Sequence, residues 1–233
     1  MQNPIINQTT QTKEKKPKLV LEKQENGVGL GKRIDGRAYT VRDNRDRFFY
    51  PKEWIKFFEV IKESQHLTFD FLINTGARIN EARNVKVEDV DLANKRIILR
   101  VTKVKSKKGE KNPRPRTIPI SSQFCKRLKR YIKGKKNEEL IGLLSTPAAN
   151  IAMKKALKKA KIDDWVMFSI HNIRKTIETW LIALDVNSMR ISSHMGHDIS
   201  TALQHYVSPD VFSYDEKGQM KDVIGDLYEK RER

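Results

Sequence analysis

HMGHDISTALQHY, residues 194–206, is the stretch on which the fold of this chain turns. It sets a glycine–histidine pair, Gly196 and His197, nine residues ahead of Tyr206. Working back, HNIRKT (171–176) places His171 and Arg174 three residues apart, with Arg174 lying 23 residues before His197. Residues three apart on a helix share a face, so this pair can converge on one ligand. Farther back, TGARINEAR (75–83) places Arg78 two residues after Gly76. The sequence around these boxes predicts mostly helix. SIHNIRKTIETWLIALDV carries Ile173, Ile177, Trp180, Leu181 and Leu184 as one apolar stripe. SMRISSHMG and STALQHYV follow as shorter helices.

Upstream, helical patterning begins at Pro51, a good first-turn residue. Trp54, Ile55, Phe58 and Ile61 (with Val60) repeat at helical spacing. HLTFDFLINTG is a second helix, closed by Gly76 as a C-terminal cap. After a short helix over INEARNV, the segments VKVEDVDL, KRIILRVT and RTIPI read as three antiparallel strands. DLANK is the first turn and a long basic loop (105–115) the second. SSQFCKRLKRYIKG, opening on a serine cap and closing at Gly134, and ANIAMKKALKKAKI are further helices. The fold class is α+β, mostly α-helical with a small three-stranded antiparallel sheet. Residues 1–48 read as a flexible basic arm or linker, in which LVLE (19–22) can form a short strand. Residues 49–209 form the main domain. Residues 210–233 are a polar tail that ends in a helix, GQMKDVIGDLYEK.

Forty-seven Lys and Arg against 29 Asp and Glu give the 233 residues a net charge of +18. A balance this basic points to a polyanionic partner, most often nucleic acid. The bias is concentrated: residues 100–136 hold 15 Lys or Arg and one acidic residue, Glu110. Such residues mostly contact phosphate and carry little sequence information. The single cysteine, Cys125, excludes an intrachain disulfide, and nothing near it suggests a base to activate it. No apolar run approaches the ~18 residues of a membrane span, and the N-terminus lacks a signal-peptide core. No HExxH, CxxC or GxxxxGK[ST] occurs, which argues against a metal site and against a nucleotide-driven motor.

Taken together, TGAR, HxxR, the GH pair and the tyrosine resemble the catalytic domain of the tyrosine recombinases, the phage-integrase family of DNA strand-transfer enzymes. The resemblance runs from about Phe57 to Tyr206 and keeps the family's order of motifs. It implies the tyrosine recombinase catalytic-domain fold and the following roles. Arg78 and Arg174 bind the scissile phosphate, whose oxygens suit the guanidinium fork. His171 and His197 donate hydrogen bonds or exchange protons. Tyr206 is the nucleophile and becomes joined to the DNA 3′ phosphate. Met195 replaces the leucine of the usual LGH box, a conservative change. The family's lysine, which protonates the leaving oxygen, belongs in the hairpin. Lys103 fits best and Lys105 is the alternative, the register being open because the hairpin is long and carries KNPRPR. Lys105, Lys107, Lys108, Arg114 and Arg116 are expected to contact DNA. His194, the neighbouring histidine, reads as a structural or surface residue.

The resemblance further implies double-stranded DNA attachment sites as partner, a homotetramer on DNA from monomers free in solution, no cofactor and no metal. It also implies a DNA-associated cytoplasmic protein, from a mobile element such as a virus or plasmid. The acidic tail (7 acidic and 5 basic residues over 207–233) is expected to dock on a neighbouring protomer. The usual N-terminal clamp domain is not recognisable in the sequence before the catalytic domain, which leaves open a catalytic fragment or a minimal enzyme. A type IB topoisomerase, or a catalytically weak DNA-binding fragment, is the competing reading. Integrase, resolvase and invertase roles are not separable at this level.

Overall fold

The computed structural model describes three strands within residues 20–41, and residues 47–100, 115–196 and 212–228. The chain divides into two compact units, Met1–Arg42 and Asp43–Arg233. The first holds β1 (Val20–Glu22), β2 (Gly29–Lys32) and β3 (Ala38–Val41), an antiparallel sheet in that order. Leu21 pairs with Gly31, and Leu30 with Thr40. Only β1 is suggested by apolar patterning. Gly29 and Gly31 dilute the alternation of β2, so its strand character comes from pairing and not from propensity.

The second unit is helical around a small sheet. Helix α1 (Pro51–Val60) and helix α2 (Glu63–Thr75) carry the aromatic centre of the core. Phe49 packs edge-on to Trp54 at 5.2 Å and lies 4.5 Å from Phe168, while Phe57 meets Phe69 at 5.0 Å. Each of these side chains is buried, and burying one contributes about 1.5–3 kcal/mol. The polar edge of this cluster is satisfied: Trp180 Nε1 donates to the Phe49 carbonyl at 3.0 Å, and Phe49 N–H to Thr176 Oγ1 at 2.9 Å.

Helix α2 stops at Gly76, which is left-handed (φ +58°) and whose N–H bonds the Leu72 carbonyl. Glycine is required there twice over. A Cβ would also lie 2.9 Å from Met195 Sδ and 3.0 Å from Ile177 Cγ2. Close approach at this point lets the end of α2 touch helix α6 (His171–Ala183) and helix α7 (Ser188–Met195). The short helix α3 (Ile79–Arg83) starts immediately afterwards.

The sheet of this unit is β4 (Val90–Asp91), β5 (Arg96–Leu99) and β6 (Arg116–Pro119), antiparallel in that order, as expected. Its first strand is shorter than VKVEDVDL suggests, because Val87–Asp89 form a 3-10 turn. Asp89 explains this: it is buried, accepts from the Lys86 N–H and is held by Arg100, so it offers the backbone a local partner in place of the ladder. Helix α4 (Ser122–Tyr131) is capped by Ser121 Oγ, and helix α5 (Thr146–Lys159) by Ser145 Oγ. The expected helix over STALQHYV lies outside the described residues.

The C-terminal helix α8 (Tyr214–Ile224) begins before the expected GQMKDVIGDLYEK, because Ser213 and Glu216 form a capping box. It packs on α1, α2 and α6 of its own chain, burying Met220 and Ile224. Asp226 then accepts from the N–H and hydroxyl of Ser122, at the start of α4, at 2.6 and 2.5 Å. The segment expected to dock on a neighbour is therefore seated on its own body in this structure. Among the described residues no helix is long and apolar enough to cross a membrane.

Candidate active site

Three of the residues singled out by their motifs come together where α2 ends, α3 begins and α6 starts. Arg78 lies at the N-terminus of α3, two residues past the Gly76 cap. Its side chain is 48% exposed, which leaves its fork accessible to an external anion. Glu81, one helical turn on, accepts from the Arg78 N–H at 3.1 Å and from its Nη1 at 3.0 Å. His171 is the first residue of α6 and is exposed. Arg174, one turn deeper, is buried. Its Nη1 donates to the Gly76 carbonyl at 2.7 Å and its Nη2 to the Met195 carbonyl at 2.5 Å. One guanidinium thus ties α6 to the end of α2 and to the last residue of α7, and the i, i+3 spacing keeps His171 on the same face.

The electrostatics are those of a site short of negative charge. Burial, then Arg78 and Arg116, pull the Arg174 guanidinium down to about 10. It stays protonated at neutral pH; Glu81 and Glu178 relieve its charge in part, less than burial, Arg78 and Arg116 oppose it. Partial burial, followed by the repulsion of Arg174 and Arg78, lowers the His171 imidazole below its ordinary value, so it is neutral at pH 7. Burial alone pushes Glu81 up, but the hydrogen bonds and charge of Arg116, together with those of Arg78, outweigh it and hold the carboxylate ionised. Preorganised cations in a partly desolvated site are suited to a phosphate whose charge grows during reaction.

Arg116 is turned inward: Nη2 meets Glu81 Oε2 at 2.8 Å, and Nε donates to the His194 carbonyl at 3.1 Å. His194 is buried, as befits a structural residue, with Nδ1 2.9 Å from the Tyr228 hydroxyl. Burial first, then Arg116 and Arg174, depress His194 to about 3, and the same burial raises Tyr228 to about 12. Lys103, Lys105, Lys107, Lys108, Arg114, His197 and Tyr206 lie outside the described residues. Glu81 is the site residue that motif reading overlooks. Its signal is an acid three residues after Arg78 at a helix start, a spacing that by itself describes any capped helix. Among the described residues, no group of three or more His, Cys, Asp or Glu is placed to hold a metal ion.

Residues 47–211 match the family model described as the phage integrase family. The chain belongs to that family. Its integrase domain thus covers all three motif boxes and includes the cluster around Arg174. A curated relative, tyrosine recombinase XerA of Saccharolobus solfataricus, is 32% identical over 136 residues, 58% of this chain. The matched part spans 43% of that relative's length. Among solved structures, the integrase of transposon Tn1549 in complex with transposon right end DNA superposes with a TM-score of 0.59 at 18% identity. That match covers 81% of this chain and 68% of the other. The crystal structure of XerA recombinase gives 0.56 at 20% identity over 76% and 62%. The catalytic domain of bacteriophage HP1 integrase gives 0.50 at 20% identity over 77% and 95%. At these identities the structural likeness establishes a shared fold, a mostly helical catalytic domain with a small antiparallel sheet.

Proposed function

We propose that this protein is a site-specific DNA recombinase that cuts and rejoins strands through a covalent 3′-phosphotyrosyl intermediate. The observation that carries the proposal is the convergence of Arg78, Arg174 and His171 on one face, with more positive charge than their carboxylates neutralise. In this mechanism the Tyr206 phenol passes its proton to His197 as its oxygen attacks the scissile phosphorus, and the bond to the 5′ oxygen breaks. That oxygen leaves with a proton from the hairpin lysine, Lys103 or its alternative Lys105. Arg78 and Arg174 hold the non-bridging oxygens as charge builds on them. His171, neutral at pH 7, donates a hydrogen bond to the phosphate, and His197 supplies the second histidine. A free 5′ hydroxyl of the partner strand then reverses the step. The phosphodiester bond energy is kept in the tyrosyl ester, so no nucleotide need be hydrolysed.

The partner is double-stranded DNA, engaged by the basic hairpin and by a homotetramer assembled on two duplexes. The DNA complex of the Tn1549 integrase supports DNA as the partner. Its transposon source, and the phage source of the HP1 domain, favour a mobile element. For exchange between protomers, α8 would have to leave the body on which it is seated.

A covalent trap tests the reading. The protein is incubated with supercoiled plasmid and with nicked duplexes, in the presence of chelator, then denatured and probed for protein-linked DNA. Adduct from the wild type and none from Tyr206→Phe is expected. Adduct that persists in Tyr206→Phe would remove that residue as the nucleophile. DNA binding with no adduct on any member of a site library would leave a DNA-binding protein without strand transfer. Relaxation of plasmid with no exchange between duplexes would favour a topoisomerase.

A further inference from the structure

Arg116 stands where the basic hairpin re-enters the sheet, at the first residue of β6. Its side chain is 13% exposed, against 48% for Arg78, and what sets it apart from Arg174, which is buried as well, is the carboxylate it is paired with, where Arg174 donates to main-chain carbonyls. The Nε–Nη2 edge of its fork is used. Nη2 binds Glu81, the carboxylate that also binds Arg78, and Nε binds the carbonyl of His194. The stem between them lies flat over Gly196. A Cβ there would approach Arg116 Cδ, Nε and Cζ at 2.9, 3.0 and 3.1 Å. Gly196 has φ +67° and closes α7 through its N–H to the Ser192 carbonyl, so both backbone conformation and the arginine stem demand glycine. One side chain on β6 therefore meets α3 and the capped end of α7, where Arg174 also binds, through the next carbonyl, that of Met195.

We propose that Arg116 is a positioning residue: it fixes the Arg78–Glu81 pair against the main chain of α7 at His194, three residues ahead of His197, and holds no DNA phosphate. The proposal rests on the strand-transfer reading and assigns a role within it. The glycine of the GH box acquires a physical purpose, since it makes room for this arginine. Lysine cannot replace it, because one ammonium on a flexible stem does not reproduce a planar fork with two fixed acceptors.

The test compares Arg116→Lys and Arg116→Gln with wild type by three measurements. Affinity for a labelled mixed-sequence duplex is followed against salt. Adduct formation on nicked duplex is timed at saturating protein. The Glu81 carboxyl is titrated by carbon NMR in the free protein. Expected are an unchanged salt slope, adduct formation slowed about tenfold or more in both variants, and a Glu81 titration moved up toward the ordinary carboxylate range. Lysine should restore the Glu81 titration in part but not the rate. A salt slope smaller by about 1 in Arg116→Gln would make Arg116 a phosphate contact and overturn the proposal. So would an unmoved Glu81 titration, or an unchanged rate at saturation. If the wild type forms no adduct, the strand-transfer reading fails, while the salt slope and Glu81 titration still decide where Arg116 points.

Discussion

Two buried carboxylates in this molecule meet arginine in opposite ways. Asp70, on α2, takes both oxygens to Arg127 of α4, at 2.7 and 2.9 Å, and one oxygen also accepts from Asn74. One charge meets one charge and the pair is closed, a lock between two helices. Glu81, equally buried, is shared between Arg78 and Arg116, and a third guanidinium, Arg174, lies near enough for both arginines to depress it. That cluster is left with positive charge and one accessible fork. A balanced pair holds a fold together; an unbalanced cluster stores unfavourable energy that an arriving anion relieves. On the proposed reading the comparison separates structural from phosphate-binding arginines, and it can be broken at several points.

The largest effect belongs to Arg174. Arg174→Ala should slow adduct formation by about 10²–10³-fold, measured on nicked duplex at saturating protein. It should also lower stability, because the Gly76 and Met195 carbonyls lose their donor. Arg174→Lys should keep most of the stability and little of the rate, for it retains charge without the fork. On the structural side, Arg127→Ala should cost about 3 kcal/mol in urea unfolding, since it strands the buried Asp70. The adduct rate per folded molecule should remain that of the wild type. A specific loss of rate in Arg127→Ala would erase the contrast between the two sites.

Protonation sharpens the contrast further. Glu81 is depressed in the folded state, so the stability it lends is complete above its unfolded pKa, about 4.3. That stability is lost as pH falls through the folded value. Wild type and Glu81→Gln should therefore differ in stability at neutral pH and converge on acidification, as thermal melts across the acid range would show. His171 is also depressed. Its imidazole should titrate below the usual 6.5 by NMR in the free protein, with the fold penalised as pH drops through the unfolded value and protonation is forced. Binding a phosphate analogue such as vanadate should move that titration upward, because an anion relieves the repulsion from Arg174 and Arg78. No movement would mean that the cluster does not take the anion. The smallest effect is expected from Tyr228→Phe, which removes one buried hydrogen bond to His194. It should cost about 1 kcal/mol in unfolding, with adduct formation preserved.

The architecture of the second unit was largely legible along the chain. Apolar stripes at helical spacing marked α1 and α6, a serine cap marked α4, and Gly76 marked the end of α2. Pattern failed where a side chain captured the backbone locally. Asp89 turned the head of a strand into a 3-10 turn, and the Ser213–Glu216 box started α8 early. Pattern also failed for β2, where glycines dilute the alternation and pairing alone makes the strand.

By itself, the sequence determined the residue types and order that phosphate chemistry requires, because spacings such as His171 to Arg174 are fixed by helix periodicity and survive any packing. Only the tertiary structure decided which charges balance. Arg78, Arg116 and Arg127 are alike as letters in a basic chain. Whether each faces solvent, a shared carboxylate or a private one depends on which distant element is brought alongside, and burial then sets the strength of each pairing. Charge composition is a property of the chain, whereas charge compensation is a property of contacts between residues far apart in it.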